Sequence, residues 1–273
     1  MTLTEAQISQ YRTEGWVAPI NVMSEDEASG LAAELEAAEA AWPEHFGGPG
    51  RNNAHLAFPF LNDITTDPRI VDAASCLVGP DIGLTSTVLF IKEPDSDAYV
   101  SWHQDSFYMG LRGDNFVTAW LALTPSTLDT GCVTVIPGTH HTRLEHQDTF
   151  GDDNILTRGQ QIPAVDESQA VHLELRPGQM SLHHHLLVHG SQPNRSPHRR
   201  VGFAMQSYLG ADVLPARGEH HVMHIRGAPL NPLFTESARP EGVCTPEALA
   251  VRAAANDAFA SVLYDGAEVR RQL

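Results

Sequence analysis

The sequence predicts a mainly β core flanked by helices at both ends of the chain, and three observations carry that reading. Between residues 83 and 209, short apolar or alternating runs follow one another with Gly, Pro and Asp between them: 84–92, 98–104, 115–123, 132–136, 170–175, 179–188 and 200–209. Before them stand two capping boxes, Thr4-Glu5-Ala6-Gln7 and Ser24-Glu25-Asp26-Glu27, each of which opens a helix. After them, Thr245-Pro246 places a hydroxyl cap ahead of a proline in a first helical position.

Taken in order, the helix opened by Ser24 runs through an Ala-, Glu- and Leu-rich stretch and should end near Trp42-Pro43. A third short helix is expected from Asp67, where apolar residues recur at helical spacing up to Val78. The many short strands bounded by turns then argue for a sandwich or barrel rather than a parallel sheet with crossover helices. Residues 138–169 are polar and histidine-rich, too long for a plain turn, and are expected to form an insert that covers a site. One domain over 1–273 is therefore expected: a mostly helical part to residue 82, the β core 83–209, and a strand and helix extension over 210–273.

Composition narrows the function. The chain of 273 residues has 17 basic against 34 acidic side chains, a formal net charge of −17. Such a field repels nucleic acid and anionic membrane surfaces, so neither is expected as a partner. No apolar run reaches membrane-spanning length, the N-terminus lacks a signal-peptide pattern, and Cys76, Cys132 and Cys244 fit neither a disulfide framework nor a cysteine zinc site. A cytoplasmic protein, monomer or homodimer, acting on a small molecule is the expectation.

The chemistry is expected to start at "SWHQDSFY", residues 101–108. Alternate residues of a strand share a face, so His103 and Asp105 can offer an imidazole and a carboxylate to one ion. With 15 histidines in the chain, such a pair alone says little. The third ligand expected is His189, which closes the apolar run 179–188 before a Gly-Ser turn. Two histidines and a carboxylate on one side of a metal suit non-haem Fe(II) oxygen chemistry. The run His183-His184-His185 is the competing source, although a histidine run on a strand more often packs than ligates. Eleven residues beyond His189, Arg200 heads another strand, where its guanidinium fork would suit a dicarboxylate; Arg199 is the alternative.

These residues resemble the phytanoyl-CoA dioxygenase family of Fe(II)/2-oxoglutarate oxygenases. The similarity is carried in order by "FIKEPDSDAYVSWHQD" (90–105), "VTAWLALTPSTLDTGCVTVIPGTHH" (117–141) and "LRPGQMSLHHHLLVHGSQPNRSPHRR" (175–200), with "YRTEGWVAP" (11–19) also similar. The resemblance implies a double-stranded β-helix, or jelly-roll, core of the cupin type. It implies Fe(II), 2-oxoglutarate and O2 as cofactors and cosubstrates, with His103, Asp105 and His189 as both metal ligands and catalytic centre. It also implies that Arg200 and Ser191 bind 2-oxoglutarate and that Trp120 lines its pocket, with a plain core role the alternative for the tryptophan. Lys92, the single lysine of the chain, would orient the cosubstrate or else be a strand-edge lysine. Related halogenases replace the carboxylate ligand by a small residue; Asp105 is present, so hydroxylation with release of succinate and CO2 is the expected outcome.

Substrate contacts are expected from 50–60, from Phe107 and Tyr108, and from 156–161; Asn53, His55 and Arg158 are the polar groups placed to meet a polar or anionic substrate. The charge of the chain disfavours a coenzyme A ester, and a small polar metabolite such as an amino acid, a betaine-like compound or an aminophosphonate is preferred. Desaturation or cyclisation by the same cofactors stands as an alternative. So, from another class, does a non-catalytic metal-binding jelly roll. A zinc hydrolase would explain neither Arg200 nor the ordered blocks.

Overall fold

A computed structural model describes residues 2–47, 51–267 and 269–270. Among these residues, five helices, α1 (Glu5–Glu14), α2 (Glu25–Ala41), α3 (Pro59–Thr65), α4 (Pro68–Val78) and α5 (Pro246–Leu263), flank a β core. Its strands are β1 (Trp16–Asn21), β2 (Ile82–Lys92), β3 (Val100–His103), β4 (Leu111–Arg112), β5 (Phe116–Ala122), β6 (Val133–Val135), β7 (Gln147–Asp148) and β8 (Gln160–Gln161). They continue as β9 (Val171–Leu173), β10 (Gln179–His184), β11 (His189–Ser191), β12 (Arg200–Leu209), β13 (Leu214–Pro215), β14 (His221–Arg226) and β15 (Thr235–Glu236).

Two sheets carry the core: a seven-stranded one in the order β1-β10-β5-β12-β2-β14-β15 and a four-stranded one in the order β3-β11-β6-β9. Neighbours are antiparallel except β14 and β15. Sequential strands alternate between sheets (β2 to β3, β5 to β6, β9 to β10, β11 to β12), which is the jelly-roll path. The sheets remain open rather than closing into a barrel.

Both capping boxes form: Thr4 and Gln7 close on each other, as do Ser24 and Glu27. Helix α2 stops at Ala41, next to Trp42-Pro43, and Thr245 caps α5 through the Ala248 amide. The N-terminal part is less purely helical than the sequence suggests, because Trp16–Asn21 pairs with β10 as the edge strand β1. The insert 138–169 is also structured, holding the β7/β8 hairpin and two 3-10 turns, at 139–141 and 167–169. Gly50, at the head of the expected substrate segment 50–60, lies outside the described residues.

Period-two alternation sorts the long strands. On β5, Val117, Ala119 and Leu121 pack against the helices, whereas Trp120 and Ala122 face the smaller sheet. On β12, Val201, Phe203 and Met205 join the helix-side core, so Arg200, Gly202, Ala204 and Gln206 share the inner face. Glycine at 202 is required there: a Cβ would lie 1.8 Å from Cζ2 of Trp120. Gly202→Ala is therefore expected to overpack the space under the indole and cost about 1–3 kcal/mol, readable as a lower denaturant midpoint at unchanged slope.

Candidate active site

The register of the smaller sheet builds the site. His103 on β3 and His189 on β11 are direct cross-strand partners, and their rings lie 4.1 Å apart. Strand β3 ends at His103, and Asp105 opens a 3-10 turn, 105–107. The alternation that predicts their convergence still holds because Gln104 between them is extended (φ −119°, ψ 128°). Its carboxamide turns the other way, donating to the carbonyls of Thr142 and Leu186.

One ligand atom from each of His103, Asp105 and His189 lies within 4.8 Å of the others. Asp105 Oδ1 is 3.4 Å from Nε2 of His103 and 3.7 Å from Nε2 of His189. Ligands of a first-row metal stand about 2.0–2.2 Å from the ion, hence roughly 3 Å from each other at right angles, so a small contraction would complete the set. The supporting shell fits as well. Nδ1 of His103 is 2.9 Å from the Ser101 carbonyl and Nδ1 of His189 is 2.9 Å from the Leu187 carbonyl, which calls for a proton on Nδ1 and aims the free Nε2 inward. Thr118 donates to Oδ2 of Asp105 at 2.9 Å, leaving Oδ1 for the ion.

Electrostatics agree with a site made for a cation. Burial alone would raise the Asp105 carboxyl, but His189, His103 and His183 hold it well below the ordinary range. Burial, reinforced by His103, pushes His189 well below the ordinary histidine value.

From this cluster a cavity runs between the sheets to Arg200, with Trp120, Ser191 and Thr118 in its wall. Arg200 is 1 % exposed. Its Nη1 donates to the Gly131 carbonyl at 2.6 Å, its guanidinium lies 5.2 Å from the Trp120 ring centroid, and no carboxylate among the described residues pairs with it. Burial lowers it to about 10, so it stays charged at neutral pH. Arg199, the alternative, points away and is held by Glu39 and Glu93.

Lys92 is no strand-edge lysine. It is wholly buried opposite Arg200 in the β2–β12 register and donates to Ser191 Oγ at 2.6 Å and to the Gln192 carbonyl. Burial, with Arg200 alongside, lowers it to about 6. It stands behind Ser191 rather than in the cavity wall.

The substrate-side expectations divide. Tyr108 lines a second cavity, continuous with the first through Phe90, His103, Asp105 and Gln206. Asn53, His55, Phe107 and Arg158 do not line it. Asn53 bridges Asn256 and the Thr87 amide, and His55 bonds Thr87 in the core. Phe107 stacks on His146 under Arg143. Arg158 is ion-paired with Asp148.

One residue given to packing by sequence lies beside the metal ligands. His183, cross-strand from Thr118, has its Nε2 3.7 Å from Oδ2 of Asp105 and its ring 4.6 Å from that of His189. The alternation 183, 185 within the run was the signal: both are buried, whereas only His183 reaches the cavity.

A jelly roll holding two histidines and an aspartate opposite a buried arginine has the architecture of the non-haem iron, 2-oxoglutarate-dependent oxygenases. Residues 11–202 match the family model described as phytanoyl-CoA dioxygenase (PhyH), and the chain belongs to that family. It is 30% identical over 169 residues to the probable alpha-ketoglutarate-dependent hypophosphite dioxygenase of Stutzerimonas stutzeri, covering 61% of this chain and 58% of that protein. It is 37% identical over 139 residues to the peroxisomal phytanoyl-CoA dioxygenase of Bos taurus, covering 48% of this chain and 41% of that one. The matches thus span about half the length of these curated relatives. Among solved structures, the apo form of the non-heme monooxygenase ThoJ superposes with a TM-score of 0.84 at 31% identity, over 95% of this chain and 98% of that one. The alpha ketoglutarate-dependent carbocyclase SnoK superposes with a TM-score of 0.63 at 26% identity, over 78% and 86%.

Proposed function

We propose that this chain is an Fe(II)- and 2-oxoglutarate-dependent dioxygenase that hydroxylates an unactivated C–H bond of a small polar metabolite, releasing succinate and CO2. The observation that carries the reading is the pairing of a three-ligand cluster at one end of the cavity with a buried, carboxylate-free guanidinium at the other. A cation buried without a counter-charge is costly, and an anion seated beside it would relieve that cost.

His103, Asp105 and His189 would hold the iron by one side, Asp105 through Oδ1 alone because Thr118 occupies Oδ2. Arg200 would grip the distal carboxylate of 2-oxoglutarate, with the Ser191 hydroxyl as a second contact and Trp120 fixing the guanidinium plane. Lys92 orients Ser191 from behind. Once bound, iron and 2-oxoglutarate with O2 supply an oxidant strong enough to take hydrogen from an unactivated carbon. The chain positions that carbon and keeps water out, with Phe90 and Val100 closing the cavity around the ligands. The carboxylate ligand favours hydroxylation over halogenation, since no coordination position is surrendered to halide.

The test is spectroscopic. Anaerobic addition of Fe(II) and 2-oxoglutarate to the protein should produce the weak visible charge-transfer band of a chelated complex, abolished by a strong iron chelator. A protein that binds Fe(II) but yields no band on adding 2-oxoglutarate would refute the assignment.

A further inference from the structure

The second cavity opens onto the metal ligands. Its far wall comes from distant parts of the chain: Ile155, Leu156 and Thr157 of the insert, and Phe259 and Leu263 of α5. The walls are largely apolar, and among the described residues no lining residue is ionisable apart from Asp105 and His103 at the metal end and Tyr108. The tyrosine hydroxyl is already engaged, donating to Asp148 Oδ1 at 2.8 Å. Arg158, the cation nearest in sequence to this wall, is spent on Asp148, on the Leu263 carbonyl and on the Tyr108 ring 4.6 Å from its guanidinium.

The polar groups left facing the cavity are carboxamides and a hydroxyl: Asn52, Gln206, Thr157 and Gln160. Gln160 accepts from the Arg158 amide through Oε1. The side chains of Asn52 and Gln206 have no hydrogen-bond partner among the described residues. Gln206 belongs to both cavities and stands on the inner face of β12, in the same row as Arg200. A carboxamide presents a donor and an acceptor side by side, so it pairs best with an amide or hydroxyl and gives a full charge no compensation.

We infer that the substrate is an uncharged molecule with an apolar body and an amide or hydroxyl group, read by the carboxamides of Gln206 and Asn52. The inference rests on the oxygenase reading above. This lining gives a free carboxylate, a phosphinate or a coenzyme A ester no counter-charge. The expectation of a polar substrate is kept in its hydrogen bonds and loses its charge.

Succinate formation by the iron-loaded protein decides it, with N-acetyl-L-leucinamide and N-acetyl-L-phenylalaninamide as neutral probes. N-acetyl-L-leucine, L-leucinamide and hypophosphite serve as charged counterparts. The neutral amides should raise the rate at least fivefold over the substrate-free reaction, and the charged probes less than twofold. In Gln206→Glu the preference should shift toward cationic L-leucinamide; in Gln206→Leu the response to the neutral amides should fall at least tenfold. Charged probes that stimulate as well as neutral ones, or neutral amides that give no stimulation while the charge-transfer band is intact, would overturn the inference. Absence of the band in wild type would instead overturn the oxygenase reading beneath it.

Discussion

In the Arg200→Gln protein, the 2-oxoglutarate concentration that half-saturates the ferrous site is expected to rise about a hundredfold or more. Removing one partner of a buried, hydrogen-bonded charge pair costs roughly 2–5 kcal/mol, and each 1.4 kcal/mol is about tenfold in affinity. The upper part of that range applies here because Arg200 is buried and the residue that would inherit the charge, Lys92, is turned toward Ser191 and the Gln192 carbonyl. Arg200→Lys should recover little, since a lysine lacks the fork and would stand cross-strand from Lys92. Anaerobic titration of 2-oxoglutarate followed by the visible band measures both; a shift below threefold for Arg200→Gln would remove the arginine from the cosubstrate site.

The second large effect is on the metal. Asp105→Ala deletes the only carboxylate of the cluster and leaves two imidazoles. Outer-shell changes at metal sites cost about 10–100-fold in affinity, and loss of a charged ligand should exceed that. Fe(II) retained after gel filtration is expected to fall from near one equivalent to a small fraction. Retention at the wild-type level would show that the ion sits elsewhere. The fold should tolerate the change, because the ring orientations of His103 and His189 are fixed by backbone carbonyls and not by Asp105.

Much of this site is legible in the sequence because it is local. A strand of period two places His103 and Asp105 together even though the ladder ends between them, and His189 and Arg200 each stand at the start of a strand. The capping boxes and the Thr245-Pro246 start are equally local, and they form. Other features depend on partners far along the chain. Trp16–Asn21 falls within the part read as mostly helical and becomes a strand only because β10 offers it an edge. His183 is one of three successive histidines, and only its register opposite Thr118 carries it to the metal ligands. Asn53, His55 and Arg158 look available in a loop reading, yet Asn256, Thr87 and Asp148 take them up. Phe259 and Leu263 reach the second cavity from the last helix, a placement no local pattern announces.

The cross-strand pair Arg200 and Lys92 has a consequence for the durability of the folded chain. At neutral pH the pair carries the charge of the arginine, since Lys92 is lowered to about 6, and no side chain among the described residues offers it an anion. A dicarboxylate accepted there adds to the stability of the folded chain by mass action, in step with its free concentration. Where opening and closing are fast relative to cleavage, susceptibility to proteolysis follows the population of the opened chain. On the proposed assignment, then, 2-oxoglutarate protects the folded chain as well as feeding the reaction, and added 2-oxoglutarate should slow its proteolysis in vitro.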